Sequence, residues 1–468
     1  AAPFVAFFGV VDRLTGHPVI EDRSRYANSW AFFGFVFSAN FYLFLGILLY
    51  FDAMAAIFRR LRLSHITVFV FSTGIVHYAL YAFFMSHAFE FGALAFTVWS
   101  STKLYFALKK NRGALAWHLV AALSVVLNIL VRYNNLNVLI LPLTLVTLAC
   151  VFDSEERKLG TRELAGLVPR QALFLALASV PAIIFFYTAY HQIFPTRDVL
   201  YCYEAAESGT NGFFDKVAAV FGLLPNLPVL IFGSELGLLY SNPCLVFGFV
   251  FVTVFLFAAG LGYSKSTKYA IFTLFFMYYA FSVSLVLYWR TTATAYGYRY
   301  LYPLVPLGIF GTALWLDKTR TALGRPGRKG VFHGALAVIV FGLCIYSMLS
   351  QVFTETTEAL TPKRQMNTYG VVHERSYRGV SYALAGEILK PRTWVSLAAN
   401  RFPGFMGSAV VLHSPIRRHV PQEVVEKVER AYGAVGRQAY VQAFLLFLFW
   451  LSAGACFYWV QRRREPED

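Results

Sequence analysis

The feature that most constrains this chain is its succession of long apolar runs separated by short polar connections. A run of roughly 20 apolar residues spans a bilayer as a helix. About eleven such runs occur, near 31–57, 65–83, 88–107, 115–132, 136–152, 171–191, 244–262, 268–288, 300–316, 331–350 and 440–460. Charged residues make up only 14% of the 468 residues, against roughly 25% in soluble domains. The expected fold class is therefore all-α, a polytopic transmembrane helix bundle.

The net charge of +16 follows membrane orientation rather than nucleic-acid binding, because most cations sit in short connections between apolar runs. Five connections are basic. They carry Arg59, Arg60 and Arg62; Lys109, Lys110 and Arg112; Arg157, Lys158, Arg162 and Arg170; Lys265 and Lys268; and Lys318, Arg320, Arg325, Arg328 and Lys329. Counting spans puts all five on one side, together with the tail Arg462-Arg463-Arg464. That side is expected to be cytoplasmic. The other side then collects residues 1–30, Ser86-His87, Arg132 with Tyr133-Asn134-Asn135, loop 192–243, segment 288–300 and residues 351–438. A purely structural bundle has no need to gather these polar groups at one surface.

The expected organisation is an amphipathic extracytoplasmic segment over 1–30, a transmembrane bundle over 31–350, a small extracytoplasmic cap over 351–438, and a last span with a cytoplasmic tail over 439–468. Loop 192–243 is long for a plain connection. Its Pro-broken apolar stretch from Phe213 to Phe232 suits an interfacial or re-entrant element. Charge in 361–438 is too dense to insert, since each central Arg, Lys or Asp costs roughly 2.5–3.5 kcal/mol. The five cysteines, at 150, 202, 244, 344 and 456, have no paired spacing, so neither a disulfide framework nor a metal site is expected.

The sharpest candidate site is Tyr288-Trp289-Arg290 … Tyr296-Gly297-Tyr298-Arg299-Tyr300-Leu301-Tyr302-Pro303. An arginine there costs a few kcal/mol if it faces lipid, and guanidinium binds phosphate through two points. Arg299 and Arg290, with Tyr298 beside them, are thus candidates for a lipid phosphate, or interfacial anchors. His87, beside Glu90, either donates to a phosphate or is a solvated interfacial histidine. Arg132 is either a second phosphate contact or a snorkelling arginine. His77 lies deeper and reads as a packing histidine. Glu235, in Gly233-Ser234-Glu235-Leu236-Gly237, offers a surface carboxylate or merely precedes a helix start at Pro243. Asp22, in Glu21-Asp22-Arg23, is either a general-base candidate or part of a solvated turn. Nothing matches a nucleotide loop, a nucleophilic triad or a Cys/His metal box.

These landmarks in order resemble the GT-C class of integral-membrane glycosyltransferases. The order is Ala2-Pro3-Phe4, Ser86-His87, Arg132 with Asn135, Gly233 to Pro243, then Tyr296 to Pro306. The chain looks closest to bacterial relatives of protein O-mannosyltransferases and aminoarabinose transferases, over residues 1 to about 316. The resemblance implies a GT-C-like bundle in the bacterial cytoplasmic membrane, with its active face outside and its C-terminus inside. It implies transfer of a sugar from a polyprenyl-phosphate donor to an extracytoplasmic protein, lipid or glycan, with the donor phosphate near Arg299. It specifies no resident cofactor and leaves room for a divalent cation. The family's acid sits in a first outer loop, which together with a first span is expected to precede Ala1. The alternative is a non-catalytic GT-C-like subunit scaffolding a larger membrane complex. A transporter or flippase is expected to carry intramembrane charges and broken helices in corresponding halves, and these spans are read as having neither.

Overall fold

The computed structural model describes residues 1–16, 29–58, 61–80, 86–110, 114–132, 161–193, 225, 227–232, 238–257, 275–276, 278–280, 282–283, 299–323, 328–360, 418, 422, 425–426 and 437–464. The described residues contain helices and no strand. They form α1 (Ala2–Leu14), α2 (Trp30–Ala55), α3 (Leu63–Phe71), α4 (Ile75–Leu80), α5 (His87–Lys110), α6 (Ala114–Val131) and α7 (Thr161–Ile193). After them come α8 (Pro243–Phe257), a 3-10 turn (Arg299–Leu304), α9 (Val305–Leu323), α10 (Arg328–Leu360) and α11 (Arg437–Arg464). Among the described residues, four segments are long and apolar enough to cross a membrane: Trp30–Ala55, Ala114–Val131, Gly330–Met348 and Val441–Arg463. The expected span 136–152 lies outside the described residues, as does most of 268–288. α10 runs past its expected end at 350 to Leu360. Of the C-terminal segment 361–438, Val425 is buried within the principal hydrophobic cluster.

Cross-helix contacts fix the directions. α5 and α6 are antiparallel: Asn128 Nδ2 donates to Ala93 O at 2.9 Å and Thr97 Oγ1 at 2.6 Å, and Ser100 pairs with Ser124 at 3.0 Å. Such side-chain bonds hold apolar helices together where burial from water offers no drive. α2 runs with α5, since Tyr42 meets Phe89 and Asp52 meets Trp99. α11 runs with α2 as well, through Gln442 to Ser29 and Trp450 to Asn40. α8 and α9 are parallel and touch backbone to backbone. A Cβ on Gly248 would stand 2.1 Å from Gly308 O, and one on Gly311 2.0 Å from Gly248 O. Only glycine permits that approach. Further along, Phe251 stacks on Trp315 at 4.8 Å.

The consequence is a bundle with two distinct ends. At one end lie Trp30, Leu80, His87, Arg132, Pro243, the Arg299–Leu304 turn, Leu360 and Arg437. At the other lie the ends of α2, α5, α9 and α11, next to Arg62, Lys110, Arg320 and Arg462 to Arg464.

One expectation is corrected. The segment 65–83 is a broken helix, interrupted at Ser72-Thr73-Gly74 between α3 and α4. The interruption persists because other helices satisfy its backbone: Gly74 N donates to Asn242 Oδ1 at 3.2 Å, and Ser347 Oγ to Ser72 O at 2.6 Å. Near the opposite end an ion pair joins two helices. Lys103 Nζ on α5 pairs with Asp52 Oδ2 on α2 at 2.8 Å.

α1 packs along α2 through Phe4 and Phe8 against Phe37, Phe41 and Phe33. Its Asp12, fully buried, caps α2: the carboxylate accepts from Trp30 N and Ala31 N, each at 2.8 Å. An anion at a helix N-terminus satisfies orphan N–H groups and complements the macrodipole.

Candidate functional site

Glu90 is the centre of the polar cluster at the first end of the bundle. It lies in the first turn of α5, where a carboxylate is favoured by the helix dipole. Arg132 follows the last residue of α6, its N–H bonded to Asn128 O at 2.9 Å, where a cation is favoured. Antiparallel packing brings these two helix ends together, so one ion pair complements both dipoles. Arg132 Nη1 donates to Glu90 Oε2 at 3.2 Å, and His87 Nδ1 lies 3.0 Å from the same oxygen. Side-chain exposure is 0% for Glu90, 4% for His87 and 15% for Arg132. Glu90 Oε1 is buried and has no hydrogen-bond partner among the described residues.

Two tyrosines hold the imidazole in place. The Tyr78 ring, on α4, lies 4.4 Å from the His87 ring, and Tyr302 lies 5.1 Å from it. The two tyrosines meet each other at 5.4 Å. Tyr302 belongs to the turn that opens at Arg299. Tyr50 anchors the following residues by donating from its hydroxyl to Pro306 O. The sequence after Arg299 folds this way because Pro303 and Pro306 lack N–H groups and suit a tight turn running into a helix start. Leu301 and Leu304 are buried beneath it. The backbone of Arg299 therefore starts the turn that seats Tyr302 on His87.

His87 and Arg132 are thus brought together, and the segment containing Arg299 docks on the same histidine. The Arg299 side chain lies outside the described residues, as do Arg290, Tyr298, Asp22 and Glu235 altogether. His77 belongs to α4, but its side chain is also outside them.

Glu90 was legible only as a neighbour of His87. Its signal was the i,i+3 spacing, which aligns two side chains on one helix face. Nothing local pointed to Arg132 as its partner, nothing marked Tyr78, and Tyr302 stood only as one aromatic of the Arg299 motif. Among the described residues, no group of three or more His, Cys, Asp or Glu side chains could hold a metal ion.

Chemically, the cluster is a buried carboxylate compensated by a guanidinium and an imidazole. Removing one partner from such an arrangement costs about 3–5 kcal/mol, because it leaves an uncompensated buried charge. Comparison with protein families, with curated proteins and with solved structures finds no significant match.

Proposed function

We propose that this chain is a membrane glycosyltransferase of the GT-C class, transferring a sugar from a polyprenyl-phosphate donor to an extracytoplasmic acceptor. The observation that carries the proposal is the docking of the Arg299–Leu304 turn onto the His87–Glu90–Arg132 cluster through Tyr302. The basic helix ends gather at the opposite end of the bundle, as the positive-inside bias expects of a cytoplasmic face. In this view the cluster faces outward from a bacterial cytoplasmic membrane and the C-terminus lies inside.

Glu90 already engages both His87 and Arg132, so the donor phosphate falls first to Arg299 and Arg290, with Tyr298 beside them. His87 and Arg132 are held by Glu90 behind that segment. In the reaction, an acceptor hydroxyl or amine attacks the anomeric carbon of the donor. The bond from that carbon to the phosphate oxygen breaks, and polyprenyl phosphate leaves with the electron pair. The acceptor's proton passes to a carboxylate, for which Asp22 and Glu235 are the candidates in this chain. Fixed positive groups facing the departing phosphate stabilise the charge that develops there.

The test is transfer from undecaprenyl-phosphate-linked sugars by the purified full chain in lipid nanodiscs, with mass spectrometry of copurified lipid. Arg299→Lys should lower donor affinity or turnover about ten- to hundredfold, since loss of a charge-assisted contact is worth roughly 1.5–3 kcal/mol and an ammonium cannot make the planar two-point contact. Unchanged transfer by this variant would remove Arg299 from the phosphate site. A chain that neither copurifies with nor binds polyprenyl phosphate would favour the scaffolding subunit.

A further inference from the structure

Two thiols 100 residues apart in sequence meet behind the broken helix. Cys244 is the second residue of α8 and Cys344 lies near the middle of α10. Both are buried, and their sulfurs are 4.0 Å apart. Cys244 Sγ also lies 3.3 Å from Ser72 Oγ, at the break itself. No spacing motif joins two cysteines so far apart, so the pairing is a product of the tertiary structure. Cys456, by contrast, is exposed on α11, and Cys150 and Cys202 lie outside the described residues.

A disulfide requires the sulfurs to close to about 2.05 Å. The remaining approach is of the size by which a change of rotamer moves a sulfur. The pair stands at the level of the break, and from there the six-residue α4 leads to the His87 end, roughly 9 Å of helix. In the orientation proposed above that end is extracytoplasmic, an oxidising compartment in bacteria where disulfides persist.

The neighbours show what such a bond would hold. Asn242, two residues before Cys244, accepts from Gly74 N, and Ser347, one turn after Cys344, donates to Ser72 O. Joining the cysteines ties together the two segments that satisfy the broken backbone. Beyond the break, α4 carries Tyr78 against His87.

We propose that Cys244 and Cys344 form a disulfide in the folded protein, stapling α8 to α10 behind the break. The bond forms as α10 closes onto α8, before the sulfurs are shielded. The thiolate of one cysteine attacks a sulfur of an extracytoplasmic protein disulfide, and the second cysteine then displaces that sulfur from the mixed disulfide. The Cys244–Cys344 bond is made, the oxidant's S–S bond is broken, and the oxidant leaves as a dithiol with two electrons and two protons. This staple depends on the outward orientation of that end and not on the glycosyltransferase reading.

The experiment takes the full chain from acid-quenched bacterial membranes, blocks free thiols with N-ethylmaleimide in denaturant, and maps peptides by non-reducing mass spectrometry. The linked Cys244–Cys344 peptide should account for most of the chain and vanish on reduction. In nanodiscs, reduction verified by the same mapping should lower the thermal unfolding midpoint of wild type, because the bond restrains a loop of 100 residues in the unfolded chain. The midpoint of a chain carrying both Cys244→Ala and Cys344→Ala should not respond to reductant. Both cysteines recovered alkylated from cells overturns the proposal. Diamide, a small thiol oxidant, then separates the reasons: a pair that it links in nanodiscs shows that this end does not face an oxidising compartment, and a pair that it fails to link shows that the sulfurs do not meet. A linked wild type whose midpoint ignores verified reduction overturns the stapling role.

Discussion

Two carboxylates on neighbouring helices form ion pairs in this bundle, and they are built on opposite terms. Glu90 sits in the first turn of α5, where the helix dipole welcomes it. It is fully buried and held by an arginine and a histidine. Asp52 sits in the last turn of α2, where the dipole opposes a negative charge. It keeps 28% exposure and pairs with Lys103, itself 32% exposed, while Trp99 Nε1 donates to the same oxygen at 2.8 Å. Lys103 also lies over the Trp99 ring, 5.9 Å from its centroid. Water shares the work at Asp52 and is excluded at Glu90. The same pair of charges is therefore a surface accommodation at one end and a high-stakes arrangement at the other.

The largest expected effect comes from removing the guanidinium that compensates Glu90. Arg132→Leu should destabilise the protein by about 3–5 kcal/mol, read as a clear fall in the thermal unfolding midpoint in detergent. If Arg132→Leu melts like wild type, the buried-pair account of this end fails. His87→Gln comes next. It removes one hydrogen bond to a charged acceptor, worth about 1.5–3 kcal/mol, and the ring that meets Tyr78 edge-on and Tyr302 at a tilt. Combining it with Arg132→Leu should give a loss that differs from the sum of the single losses, because both groups share Glu90 Oε2. Strict additivity would show that the two act independently.

The smallest effect belongs to the other end. Lys103→Met should cost less than about 1 kcal/mol, since solvent screens an ion pair this exposed. Part of that loss should vanish when salt is raised, whereas the effect of Arg132→Leu should persist, because buried pairs are screened far less. A Lys103→Met loss as large as that of Arg132→Leu would erase the distinction between the two ends.

Much of the architecture was legible because helix length and apolarity are local properties. α2, α6, α10 and α11 follow the expected spans closely. The gathering of His87, Arg132 and the Arg299 segment at one end followed from counting spans, and the helix directions agree with it. The break at Ser72-Thr73-Gly74 was not legible. Its backbone is satisfied by Asn242 and Ser347, far away in sequence. Asp12 was passed over for a related reason: its partners are the N–H groups of Trp30 and Ala31, across a connection whose path the sequence does not reveal. The Asp52–Lys103 pair escaped because each charge alone looks like an interfacial residue of its own span.

By itself, the sequence determined that the chain is helical, that several of its helices are long and apolar enough to cross a membrane, and that cations and the motif-bearing turns fall at opposite ends of those helices. Periodicity, composition and loop charge carry that information within windows of roughly 20 residues. Only the tertiary structure decided that Glu90 is the hub. In an α-helix nearly every position faces some neighbour, and in a uniformly apolar bundle no hydrophobic stripe marks which face meets which helix. The choice is made by small contacts between distant segments, such as Asn128 with Thr97 or Gly248 with Gly308. Those contacts set the register that brings Arg132 to a carboxylate 42 residues earlier.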